Sequence, residues 1–196
     1  SWEPDGDAST PMTLTYSIIT TDSVFASNYL EGTDFDELHE NITNATSAMV
    51  TAVEKAFALI SQYTGITFVK VTETSTQCGD IRIGVTTSSQ CSVGFSVGQT
   101  GISNSAHGDI WLNSTGSNAD GDWSTGSFGF LTLLHEIGHS MGLKHPHTEG
   151  SSVSGWTPPI MSLTYDYLGY TLMSYRDFPE DDTEGHGVAS VATGDA

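Results

Sequence analysis

Residues 133–146 read LLHEIGHSMGLKHP, which puts three histidines and a glutamate into eleven consecutive positions of a chain with only 15% charged residues. The apolar spacing predicts a helix that opens near Ser127 and runs to about Gly142. His135 and His139 are four apart, so on that helix they share one face a turn apart, and both imidazoles can meet one ion. Glu136 sits beside the first of them and leans over the same place without being needed as a ligand. Gly142 lets the chain leave the helix sharply, because a residue without a Cβ takes a left-handed turn at little cost. The turn brings His145 back as a third nitrogen ligand. Three protein ligands and an open fourth position suit a catalytic zinc, whereas a structural zinc is closed by four. Shuffling this composition would produce H-E-x-x-H-x-x-G-x-x-H in roughly one chain in twenty thousand. Coincidence is not an adequate explanation.

Working outward, Ser114–Gly126 reads as loop, and GDIWLN (Gly108–Asn113) before it as a short strand. Residues 86–107 are rich in Ser, Gly and Thr and read as one long loop. IRIGV (Ile81–Val85), ITFVKVTE (Ile66–Glu73) and MTLTYSIIT (Met12–Thr20) read as strands, being β-branched and aromatic. Across Asp34–Tyr63, apolar residues fall at Phe35, Leu38, Ile42, Ala45, Met49, Val53, Phe57 and Ile60. Steps of three and four predict one long amphipathic helix, closed by Gly65 in the left-handed position. Beyond Lys144, Pro, Gly and aromatic turns dominate. The order β, α, β, β, β, α predicts an α+β fold, a twisted mixed sheet with two long helices and an irregular C-terminal subdomain. One domain over 1–196 is expected, its N-terminal subdomain about 1–142 and its C-terminal subdomain about 143–196.

The chain carries 24 Asp and Glu against 5 Lys and Arg, a formal net charge of -19. Such a surface repels phosphate backbones and anionic lipid, so neither nucleic acid nor membrane is an expected partner. No segment approaches the roughly 18 apolar residues of a membrane helix. SWEPDGDAST at the start has neither the basic nor the apolar region of a secretory leader. Cys78 and Cys91 flank IRIGV and are placed to close a loop worth about 3 kcal/mol in the chain-entropy model. Two buried free thiols are the alternative. With the acidic surface, the cysteines favour an extracellular location.

HEIGHSMGLKH resembles the long zinc motif of the metzincin metalloendopeptidases. Pro146, directly after the third histidine, is similar to the serralysin group of secreted bacterial proteases, which also carry Met-Ser-Tyr downstream. TLMSYRD supplies it here as Met173, Ser174 and Tyr175; Met161, in PIMSLTY, lacks the tyrosine two places on. The resemblance implies a zinc-dependent endopeptidase with ligands His135, His139, His145 and, at rest, Tyr175. It makes Met173 the hydrophobic floor beneath the histidines and Tyr175 a donor to the oxyanion during reaction. Glu136 is then the general base toward a metal-activated water. An extended peptide is expected to lie against GDIWLN by strand addition. Protein or peptide is the expected substrate, and a secreted monomer the expected form. The calcium-binding nonapeptide array of serralysins does not occur in this sequence, so the chain reads as a fragment or a processed catalytic domain.

Rival readings are a zinc-containing binding module of the same fold that no longer cuts, which has no need of Glu136, and a hydrolase of non-peptide esters or amides. Among weaker signals, GFSVG (Gly94–Gly98) fits G-x-S-x-G, but loop follows where a nucleophilic Ser96 needs a helix. NADGD (Asn118–Asp122) has the alternating oxygens of a calcium loop, with Ser127 where the bidentate Glu belongs, so calcium is a weak expectation. His107 and His147 read as loop and surface residues. N-x-S/T at Asn41, Asn44 and Asn113 matters only in a eukaryotic secretory path.

Overall fold

The computed structural model describes residues 12–31, 35–97, 106–115, 121–147 and 160–176. They fall into two units, Ser1–Gly142 and Leu143–Ala196. The first holds strands β1 (Met12–Ile18), β2 (Ile42–Thr43), β3 (Ile66–Lys70), β4 (Ile81–Thr86), β5 (Gly94–Ser96) and β6 (Ile110–Asn113), with helices α1 (Ser47–Tyr63) and α2 (Phe128–Ser140). The sheet runs β3-β1-β4-β6-β5, with β2 also joined to β4. β1 pairs in parallel with β3 and β4, and β4 with β6; β5–β6 and β2–β4 are antiparallel. α1 lies in the crossover from β1 to β3, as parallel neighbours require. This is the mixed-sheet α+β architecture with two long helices that the pattern predicts.

Side chains alternate across the sheet with the period of two that a strand imposes. Ile81, Ile83, Val85, Ile110 and Leu112 enter one core with Met49, Val53 and Phe57 of α1 and Phe130, Leu133 and Ile137 of α2. Trp111 points the other way, into a second core with Ile19, Tyr29, Leu30 and Leu38. Buried apolar side chains of this size contribute roughly 1.5–3 kcal/mol each.

Two polar groups are built into the sheet. Arg82 donates from Nε to Glu73 Oε1 and from Nη2 to Oε2, both at 2.9 Å, with the two side chains only 6% and 5% exposed. Ser17 donates to Glu73 Oε1 at 2.8 Å, and Ser23 also donates to this carboxylate. Burial pushes the Glu73 carboxyl up, but the bonds from Arg82, Ser23 and Ser17 outweigh it, and its pKa lies below the usual value. Asp109, at the entrance to β6, accepts from Tyr29 Oη at 2.7 Å and from the Arg82 backbone N–H at 3.2 Å. There burial wins over the Tyr29 bond and the Arg82 charge, pushing Asp109 up to about 7.

Several expectations need correction. The first long helix begins at Ser47, not Asp34: Leu38–Glu40 is a 3-10 turn and Ile42–Thr43 pairs antiparallel with β4. Phe35, Leu38 and Ile42 owe their spacing to the second core, and Thr46 starts the helix by accepting from the Met49 N–H at 3.3 Å. That helix ends on Thr64 in an extended conformation (φ −124°), with no positive φ at Gly65. Strand β3 stops at Lys70, short of Glu73. Residues 86–107 are not all loop, since β5 lies within them, and β5, not GDIWLN, ends the sheet. Cys78 is exposed, Cys91 is buried, and both are free thiols.

Among its described residues the second unit has neither helix nor strand, as the irregular C-terminal reading anticipates. Its turns are held by backbone bonds such as Asp166 N–H to Ser162 O (3.0 Å) and Leu168 N–H to Arg176 O (2.9 Å).

Candidate metal centre

Helix α2 is set on the sheet by its apolar positions and capped by Ser127, whose Oγ accepts from the Phe130 N–H at 3.2 Å. Its last turn is pinned by Ser140 Oγ donating to Gly108 O at 2.8 Å. The chain leaves it through Gly142 at φ +92°, the left-handed turn read from the sequence, with the Gly142 N–H on His139 O at 2.8 Å.

On this helix His135 Nε2 and His139 Nε2 lie 3.0 Å apart, with ring planes at 83°. Two nitrogens at that separation are close to what a shared ion about 2.0–2.1 Å from each demands. His135 and Glu136 are buried on α2, at 9% and 7% exposure. Glu136 packs on the backbone of β5: a Cβ added to Gly94 would stand 2.9 Å from Glu136 Cγ and 2.8 Å from Thr132 Cγ2. Nearby, burial first and the Glu136 charge second push the Cys91 thiol up to about 12.

In the second unit, Tyr175 Oη is 2.5 Å from His145 Nε2, and His147 lies parallel to His145 with centroids 5.4 Å apart. Met173 is buried and its N–H donates to Thr171 Oγ1 at 3.2 Å. Met161, the other candidate, is more exposed; with Leu143, Lys144, Pro146, Ile160, Thr171 and Met173 it lines an open cavity of about 380 Å³. His135 and His139 on α2 present two ring nitrogens to one place, and His145 carries the third imidazole of the motif in the second unit. Three imidazoles are a donor set that suits zinc.

The weaker signals separate. Ser96 closes β5, and residues 98–105, where an elbow would need its helix, lie outside the described residues. Asn118–Asp120 lie outside the described residues; Asp122 is exposed and accepts from the Ser124 N–H at 2.9 Å. Asn113 is buried and donates to Ser88 O at 3.3 Å, which removes it as a glycosylation acceptor in the folded chain. His107 Nε2 is buried with no hydrogen-bond partner among the described residues. His147 is exposed at the surface, as its sequence position suggests, and its Nδ1 stands 3.6 Å from Asp166 Oδ2.

Two features escaped the sequence reading. Strand β5 is signalled by the alternation of Val93, Phe95 and Val97, whose side chains turn inward. Asp166 carries no signal among the tyrosines around it.

The matrixin family matches residues 34–185 of the chain. Serralysin of Proteus mirabilis is 39% identical over 69 residues, 34% of this chain and 13% of the relative. The metalloprotease AprA of Pseudomonas entomophila (strain L48) is 41% identical over 51 residues, 26% of this chain and 10% of the relative. The structure of myroilysin aligns at a TM-score of 0.41 with 17% identity, covering 70% of this chain and 50% of that one. The chain thus spans between 10% and 16% of the length of the curated relatives it matches.

Proposed function

Because the chain belongs to the matrixin family of metalloproteases, we propose that it is a serralysin-like zinc endopeptidase, cutting inside extended protein substrates. His135, His139 and His145 hold the ion in this reading, and residues 1–196 act as one catalytic domain. The observation that carries it is the pair of α2 imidazoles 3.0 Å apart with a buried carboxylate next to the first. A bound zinc supplies Lewis acidity, making a water acidic near neutral pH and polarising a carbonyl. Glu136 takes the proton of the attacking water and passes it to the leaving amine. Tyr175 joins the histidines at rest and donates to the oxyanion as it develops. Met173, buried in its turn, is the apolar floor.

The extended substrate adds as a strand along β5, because β6 is already paired on both sides. Pro146 and the Met-Ser-Tyr turn support the serralysin subtype, and the partial serralysin matches support action outside the cell. In Glu136→Gln, peptidase activity should fall about 100- to 10,000-fold with zinc still bound. Full turnover in that variant would end the base assignment, and a native protein indifferent to chelators would end the zinc reading.

A further inference from the structure

Asp166 is almost fully buried, at 1% exposure, yet among the described residues only one of its carboxylate oxygens finds a hydrogen-bond partner. Oδ1 accepts from Ser174 Oγ at 2.7 Å, and Ser174 Oγ in turn accepts from the Arg176 N–H at 3.1 Å. Ser174 therefore fixes the backbone on both sides of Tyr175. Among the described residues Oδ2 has no hydrogen-bond partner, and it faces His147 Nδ1 at 3.6 Å, beyond hydrogen-bond range but within a close electrostatic contact.

A buried carboxylate oxygen left unpaired is costly, and folded proteins seldom keep one without a use. Here its neighbour suggests the use. The His147 ring is parallel to that of His145, within 2°, and its centroid is 5.3 Å from that of Tyr175. Tyr175 and His145 rings are themselves 4.3 Å apart. One carboxylate thus touches both routes into the three-ring cluster, through Ser174 to Tyr175 and through His147 to His145. Its own place is set by its backbone N–H on Ser162 O.

We propose that Asp166 is a positioning residue for the metal centre, holding the Tyr175 turn through Ser174 and the His145 ring through His147. The assignment rests on the zinc peptidase reading. It touches neither substrate nor ion, so its effect is on where His145 and Tyr175 stand. Misplacing a reacting group by about 1 Å lowers turnover about 100-fold, and loosening a ligand's support weakens metal binding about 10-fold or more.

The test compares Asp166→Ala, Asp166→Asn, Ser174→Ala and His147→Gln in the zinc-loaded protein, reading kcat, KM and the rate of zinc loss to a chromogenic chelator. Asp166→Ala should lower kcat about 100-fold with KM changed less than about threefold, and should speed zinc loss about 10-fold. Asp166→Asn, which keeps an acceptor for Ser174, should recover about a tenth or more of the native kcat. Ser174→Ala and His147→Gln should each reproduce part of the loss and add nothing to Asp166→Ala. The proposal is overturned if folded Asp166→Ala keeps native kcat and zinc loss, or if the partner variants add their full effects to it. Should Asp166→Ala not fold, unchanged zinc loss and kcat in both Ser174→Ala and His147→Gln overturn it instead. A native protein that binds zinc and cuts nothing defeats the peptidase reading alone, since zinc-loss rates still decide this one.

Discussion

Tyr175 and His145 share a 2.5 Å contact, so the phenol that would serve the oxyanion also touches a candidate ligand. Tyr175→Phe removes the oxygen and keeps the ring on its neighbours. Steady-state kinetics should show kcat down about 100-fold with zinc content unchanged; an unaltered kcat takes the oxyanion role away from Tyr175. Asp109 makes a second prediction. Its folded value of about 7 lies above the ordinary 3.8, because burial outweighs the Tyr29 bond and the Arg82 charge. The folded state then keeps a proton that the unfolded chain gives up. The stabilisation is complete below pH 4, falls as pH rises to 7, and is gone above it. Asp109→Asn should therefore gain on the native protein across that window, by at most about 4 kcal/mol in urea unfolding. A difference that stays flat with pH would refute it. Glu73 shifts the other way in both proteins and cancels. At this scale the three histidines, Glu136 and Gly142 were legible because one helix and one turn encode them locally. Asp166 was not, because a lone acid among tyrosines reads as solvated until the turns fold it inward.

The contact of α2 with β5 sets where Glu136 stands. Gly94 leaves no room for a methyl group against Thr132 and Glu136. In Gly94→Ala, either the strand or the helix must give way, at a cost on the order of 1–3 kcal/mol. Peptidase activity should fall at least about 10-fold while zinc is retained. Native activity with a native melting point would show the contact to be slack. The missed strand and the overlong helix share one cause. A spacing of three and four says only that side chains return to the same side, and Phe35, Leu38 and Ile42 do so from a turn and a two-residue strand. Likewise Gly94–Ser96 is too short and too small-featured to stand out, although Phe95 stacks on Phe35 at 3.9 Å. Local pattern reported the α2 helix faithfully because capping, apolar face and exit glycine all agree there.

Across the molecule, β4 is the hub, bonded to β1, β2 and β6. Strand order depends on pairings far apart in sequence, which is why element types were readable and the edge of the sheet was not. An ion gripped by the folded chain alone must raise its melting point: free zinc at about 1,000 times its Kd stabilises by about 4 kcal/mol. Calorimetry with and without a chelator should show the midpoint fall and then recover on adding zinc. A midpoint indifferent to the metal would mean that the native fold does not bind it. The two thiols have a practical consequence. Cys78 is open to the solvent, whereas Cys91 is shut away with its Sγ 3.6 Å from Trp111 O and its ionisation pushed to about 12. A maleimide should thus tag one position at once and the other only when the Trp111 side of the sheet breathes, giving the molecule a built-in clock for its own opening.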